Sequence, residues 1–174
     1  MAVAIATLDV AEAAARRAEL EALLVDAVAH GASVNFVAPM TAEKATRWWN
    51  GALADHAAGG RVILAALDGG RLVGSVQLMP AGQENQRHRA DIGKLLVHSA
   101  ARRQGIGAAL MRAVEADALA RGRTLLTLDT ETGSDGERLY LKLGWTRFGI
   151  VPGFATVADG SHRADCSFFY KAMG

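Results

Sequence analysis

The chain has 174 residues and a mass of 18.3 kDa, the size of one folded domain. Hydrophobic residues make up 51% and charged residues 21%, a balance that excludes a disordered chain. The 19 basic and 18 acidic side chains give a formal net charge of +1, too little for a broad nucleic-acid-binding face. The lone cysteine, Cys166, excludes an internal disulfide. No stretch is apolar for long enough to span a bilayer. The first ten residues lack a basic group and contain Asp9, unlike a secretory leader. The expectation is a cytoplasmic protein, with no membrane or nucleic-acid partner, folded as a single domain over residues 1–174.

Residues 3–8 read as a short first strand. Asp9 can cap a helix over residues 10–30, with Leu20, Leu23, Leu24, Ala27 and Val28 as its apolar stripe and Gly31 as its stop. A loop over residues 31–36 leads to a second helix, capped by Thr41 and fading at Gly59 and Gly60. Residues 61–67 and 71–79 read as a hairpin, because Asp68-Gly69-Gly70 supplies the positive φ that tight turns need. A polar loop over residues 81–88 precedes a strand over residues 90–98. A helix then runs to about Arg121, with Ile106, Leu110, Val114 and Ala118 on one face. Strand 124–129, helix 134–143 and strands 145–150 and 165–170 complete the pattern. The order β-α-α-β-β-β-α-β-α-β-β predicts an α/β (α+β) fold, a mixed sheet with helices on its faces.

The segment from Leu95 to Gly107 carries the chemistry. A buried strand (Leu95, Leu96, Val97) is followed by a polar turn and then by Arg102-Arg103-Gln104-Gly105-Ile106-Gly107-Ala108 at a helix start. Free N–H groups and the positive helix end favour an anion there, and two arginines add charge. The spacing predicts a phosphate or pyrophosphate site; glycines present only for packing are the alternative. No Lys-Ser/Thr follows the glycines, so this is not a Walker A loop. Leu110 stands where the dinucleotide fingerprint needs a small residue.

The stretch from Arg102 to Gly107 resembles the R/Q-x-x-G-x-G/A acetyl-CoA signature of the GNAT superfamily of N-acetyltransferases. Arg138-Leu139-Tyr140-Leu141-Lys142-Leu143-Gly144-Trp145 is similar to that superfamily's second motif. Together these cover about residues 61–171. Gly31-Ala32-Ser33-Val34, the run from Asp129 to Ser134, and Pro152-Gly153-Phe154 with Asp159-Gly160 resemble the tabtoxin-resistance acetyltransferases in particular. The resemblance implies a GNAT fold with splayed central strands. It implies direct transfer of acetyl from acetyl-CoA to a primary amine of an amino-acid-like or antibiotic-like small molecule, in the manner of an antibiotic-resistance enzyme. It leaves a homodimer open. The same chemistry on a polyamine or protein amine, and a non-catalytic acyl-CoA-binding regulatory module, are the alternatives.

The resemblance also assigns roles. The backbone of Leu95, Leu96 and Val97 would hold the pantetheine arm, and the amides from Arg103 to Ala108 the pyrophosphate, with Arg102 or Arg103 on a phosphate. An acceptor amine is protonated at neutral pH, so a base is required. Asp91 and Asp129 are the candidates. Strict alternation places Asp91, Gly93, Leu95 and Val97 on one face. About 13 Å separates Asp91 from Leu95 at roughly 3.3 Å per residue, which favours relay through water. Asp129 could instead cap the turn that follows it. Tyr140 would protonate the departing thiolate, or else serve as a core aromatic. Gly133 stands where many relatives have an asparagine. The acceptor pocket would draw on Ser33, Asn35, Phe36, Glu131, the second helix with Trp48 and Trp49, and a turn around Phe154. The histidines lack zinc-ligand spacing, so no metal is expected, and Cys166 reads as a small core residue.

Overall fold

The computed structural model describes residues 3–174. Seven strands form one sheet: β1 (Ala4–Leu8), β2 (Val62–Asp68), β3 (Arg71–Pro80), β4 (Arg89–Val97), β5 (Leu125–Glu131), β6 (Thr146–Thr156) and β7 (Arg163–Ala172). Their order is β1-β2-β3-β4-β5-β7-β6, and every neighbouring pair is antiparallel except β4 with β5. The helices α1 (Val10–Ala15), α2 (Arg17–Ala29) and α3 (Ala42–Ala57) cover one face, and α4 (Ile106–Ala120) and α5 (Asp135–Lys142) the other. β2 is a near-continuous apolar run because both its faces are buried. Val62, Leu64 and Ala66 pack under α4, whereas Ile63 and Ala65 pack under α2 and α3.

The expected single helix over residues 10–30 is two helices. Asp9 and Glu12 cap α1 reciprocally, at 2.8 and 2.9 Å. The break falls at Arg16, which is drawn onto the hairpin between β2 and β3. Its Nη1 donates to the Gly70 carbonyl at 3.1 Å and to Glu19 at 2.9 Å, and Glu19 accepts the Leu72 N–H at 2.8 Å. Thr41 caps α3 as expected, with its hydroxyl accepting the Lys44 N–H. The last strand pair is longer than its apolar runs suggest. Phe154 lies within β6, not in a turn, and the β6–β7 register slips between Val151 and Ala155. Pro152 lacks an N–H and is tolerated because β6 is the edge strand.

Two irregularities of β4 shape the centre of the molecule. β4 and β5 pair only at Arg89–Leu125, Ala90–Leu126 and Asp91–Thr127, and then diverge. Opposite β3, the register slips between Ser75 and Gln77, and Lys94 takes the left-handed conformation at φ +52°. This is a β-bulge, which bends the strand and shifts its alternation by one. Ala90 and Ile92 pack under α4 before it. After it, Leu95 and Val97 pack there and Leu96 turns to α2. The shared face expected for Asp91, Gly93, Leu95 and Val97 is therefore corrected: the extra residue places Asp91 and Leu95 on opposite faces.

Candidate active site

The N-terminus of α4 opens beside the splay. α1, α3 and α5 carry side-chain caps from Asp9, Thr41 and Ser134, but the cap position of α4 is Gly105, which offers no side chain. Gly105 has φ +79°, and a Cβ built there meets nothing within 4 Å. The first bond of the helix runs from Ala109 N–H to the Gly105 carbonyl, so the amides of Ile106, Gly107 and Ala108 are free. Arg102 and Arg103 differ. Arg102 is tied to the Val97 and His30 carbonyls at 3.2 and 3.4 Å. Arg103 is exposed at φ +62°, and no side-chain partner holds it among the described residues. Asp26 secures the turn from α2, accepting the Ser99 N–H and hydroxyl, both at 2.7 Å. Burial alone would raise the Asp26 carboxyl. The Ser99 bonds, with His98 and His30 beside it, outweigh burial and hold it below the usual range.

On the opposite face of the splay lies a cleft of about 350 Å³. Asp91, Thr127, Asp129, Asn35, Trp48, Arg61 and Lys94 line it, together with Phe148 and Phe168. Asp91 is engaged: Arg89 Nη1 stands 2.6 Å from its Oδ1, and the Thr127 hydroxyl donates to the same oxygen. Among the described residues, the only donor on the Asp129 carboxylate is a weak one, the Cys166 thiol at 3.4 Å. Burial first, and the Asp129 charge second, push that thiol up to about 12, so Cys166 stays protonated.

Tyr140 is buried in the core cluster on the α4 side of the sheet. Ser134 caps α5 through the Glu137 N–H, and Glu137 accepts the Gly133 N–H and the Ser167 hydroxyl, each at 2.6 Å. With Arg147 at 3.0 Å, these anchor the first turn of α5. Tyr140, 7% exposed, packs between Trp145 and Phe169 with ring centroids 6.2 and 6.0 Å away. Trp145 is itself held by a buried 2.8 Å bond to Glu115, whose other oxygen pairs with Lys171 at 2.7 Å. Burial, and then the Asp129 charge, raise the Tyr140 phenol well above its ordinary value. The Asp129 charge is thus near enough to act on the Tyr140 phenol.

Residues 26–145 match the sequence profile of the Acetyltransferase (GNAT) family. The chain belongs to that family. Solved GNAT-type structures superpose on it along its whole length. A phosphinothricin acetyltransferase from Sinorhizobium meliloti, solved with acetyl-CoA, gives a TM-score of 0.82 at 16% identity, covering 100% of this chain and 90% of that one. An N-acetyltransferase from Staphylococcus aureus Mu50 gives 0.80 at 16% identity, with all of both chains covered. A ribosomal-protein-alanine N-acetyltransferase from Brucella melitensis gives 0.77 at 22% identity, covering 98% and 99%. At these identities the likeness shows the fold.

This GNAT protein is an acetyl-CoA-dependent N-acetyltransferase, and its residues fit the cofactor. The uncapped, Gly-led start of α4 suits a diphosphate. The splay leaves backbone groups of Leu95 to Val97 without a ladder partner toward β5, which suits an extended amide-bearing arm. Arg103 is the freer of the two arginines for a phosphate.

The expected acceptor residues divide. Asn35 lines the cleft, and Phe36 stacks edge-on against Trp48 at 5.8 Å. Phe154 sits one residue outside it, edge-on to Phe168 at 5.2 Å. Ser33 and Glu131 are not part of its walls. Trp49 is fully buried under α2, not in the pocket. Gly133 has φ +81° at the turn before α5, with its N–H on Glu137. Among the described residues, no helix is long and apolar enough to cross a membrane. Sequence reasoning missed Lys94 and Arg61. The signal for Lys94 was a cation inside the apolar strand Ile92-Gly93-Lys94-Leu95-Leu96.

Proposed function

We propose that this acetyltransferase acts on the primary amine of a small, amino-acid-like acceptor, by direct transfer within one folded unit. Acetyl-CoA supplies the reactive thioester when bound. The amides of Ile106 to Ala108 and Arg103 anchor its diphosphate, and β4 from Leu95 to Val97 aligns its arm along the splay. Asp129 takes the proton of the acceptor amine, directly or through a water. Asp91 is the less available candidate, because Arg89 and Thr127 already occupy its Oδ1. Tyr140 keeps its proton and delivers it to the departing sulfur.

The observation that supports this reading is that Asp129 lines the cleft just past the last β4–β5 pair, while Tyr140 is buried in the core cluster under α4, near enough for the carboxylate to raise the phenol. The cleft's volume is at the lower end for small-molecule sites, and its walls carry both signs of charge, as a zwitterionic acceptor requires. An antibiotic-like amino acid, including a β-lactam one, belongs to this class. The test is thiol release from acetyl-CoA across a panel of amines: amino acids, β-lactam amino acids, polyamines and alanine-ended peptides. Turnover with an amino acid, falling about 10²-fold or more in Asp129→Asn and less in Asp91→Asn, is expected. Tight CoA binding with no thiol from any amine would establish a non-catalytic acyl-CoA-binding module instead.

A further inference from the structure

The roles above leave Lys94 unused, although its side chain is the most unusual charge in the cleft. It stands on the bulge of β4 in a left-handed conformation that lysine rarely adopts. Its Nζ lies 5.5 Å from the Phe36 ring centroid and 5.6 Å from that of Trp48. These walls displace water. Burial, with the Arg61 charge second, pulls the ammonium down to about 8, and the Asp129 charge opposes the shift. Among the described residues, Nζ has no hydrogen bond and no carboxylate within 4 Å.

Arg61, the other cation of the cleft, is different. Its Nε sits 3.0 Å from Asp55, and its Nη1 donates to Gln77. Arg61 is therefore spoken for within the fold, and Lys94 is not. A partly desolvated ammonium with no anion raises the energy of the folded chain, and a ligand anion of matching position would offset that. The same charge repels a protonated amine. The reacting nitrogen of an acceptor therefore lies toward the carboxylates of Asp129 and Asp91, which line the same cleft.

We propose that Lys94 binds the carboxylate of the acceptor and so selects amino acids that carry an anionic group close to the amine. This rests on the small-molecule reading above and narrows it: polyamines and amidated acceptors lack the group that Lys94 recognises. The ammonium itself stands over the Phe36 and Trp48 rings, so it is positioned before the acceptor arrives.

Binding separates this inference from the acetyl-transfer reading. The probes are N-acetyl amino acids and their carboxamides, titrated by calorimetry into the CoA-saturated protein. The wild type should bind the acid forms about ten- to hundredfold more tightly than the amides, the range of one charge-assisted hydrogen bond. Lys94→Met keeps an unbranched chain beside the rings without the charge and should erase that ratio without lowering the melting temperature; Lys94→Arg should keep most of it. A wild type with no acid preference, including no binding of either form, overturns the inference, as does a ratio that survives in Lys94→Met. Thiol release with the same acceptors as acids and amides reports on the reaction separately. An acid preference without turnover leaves Lys94 in place and removes the amine-transfer reading. Equal turnover of acid and amide does the reverse.

Discussion

Replacing Tyr140 by Phe removes one oxygen from a side chain that is 7% exposed, and leaves its ring between Trp145 and Phe169. Among the described residues the phenol oxygen has no hydrogen-bond partner, so no buried donor or acceptor is orphaned by the change. The stability cost should stay within about 1 kcal/mol. The catalytic cost should be far larger. A positioned general acid contributes about 10²–10⁴ in rate, or about 3–5 kcal/mol of barrier. The raised phenol is the proton-holding form throughout the neutral range, so wild-type kcat should not fall through Tyr140 ionisation below about pH 10. The sign for stability follows. The folded phenol is raised, so its contribution is complete below about pH 10 and is lost as pH rises beyond it. The assays are thiol release at saturating acetyl-CoA, CoA affinity by calorimetry, and urea unfolding. A kcat within about threefold of wild type would refute the acid role. Parallel losses of turnover, CoA affinity and stability would show a packing role instead.

Glu115→Ala should destabilise the fold by about 1–3 kcal/mol, because it leaves the buried Trp145 indole N–H without its acceptor and removes the carboxylate partner of Lys171, which keeps only the Leu143 carbonyl; an unchanged urea midpoint would contradict this. Gly105→Ala should cost about 1–2 kcal/mol from φ +79° alone, and calorimetry should show weaker CoA binding. Equal CoA affinity would mean that this helix start does not hold the diphosphate. The Cys166 thiol is raised from an ordinary value near 9 to about 12. Its stabilising contribution is therefore complete below about pH 9 and is lost between about pH 9 and 12. Cys166→Ala should flatten the fall in stability over that window, and an identical alkaline limb in wild type and variant would count against the shift.

The two halves of the site differed in legibility. Gly105 and Gly107 after an apolar strand announce a helix start without a side-chain cap, and α4 begins there with its first amides free. Tyr140 is placed by α5, whose Ser134 cap and Gly144 stop are both visible in the chain. The acceptor side was harder. Asn35, Arg61, Lys94 and Asp129 come from four separate segments, and no local pattern says that they converge. Trp48 and Trp49 are adjacent, yet one lines the cleft and the other is core, because successive helical residues point about 100° apart.

By itself, the sequence determined the order of the strands, all the helices but the break at Arg16, and, through two short motifs, the resemblance to the family, since these depend on periodicity, caps and residues close together in the chain. Only the tertiary structure decided which face each residue of β4 occupies. One inserted residue at Lys94 shifts the alternation, sends Asp91 and Leu95 to opposite faces, and turns a lysine into the cleft. A bulge is settled by pairing with β3 and by the packing of α2 and α4 on either face. Those contacts are long-range, so the strand's own hydrophobic pattern does not encode them.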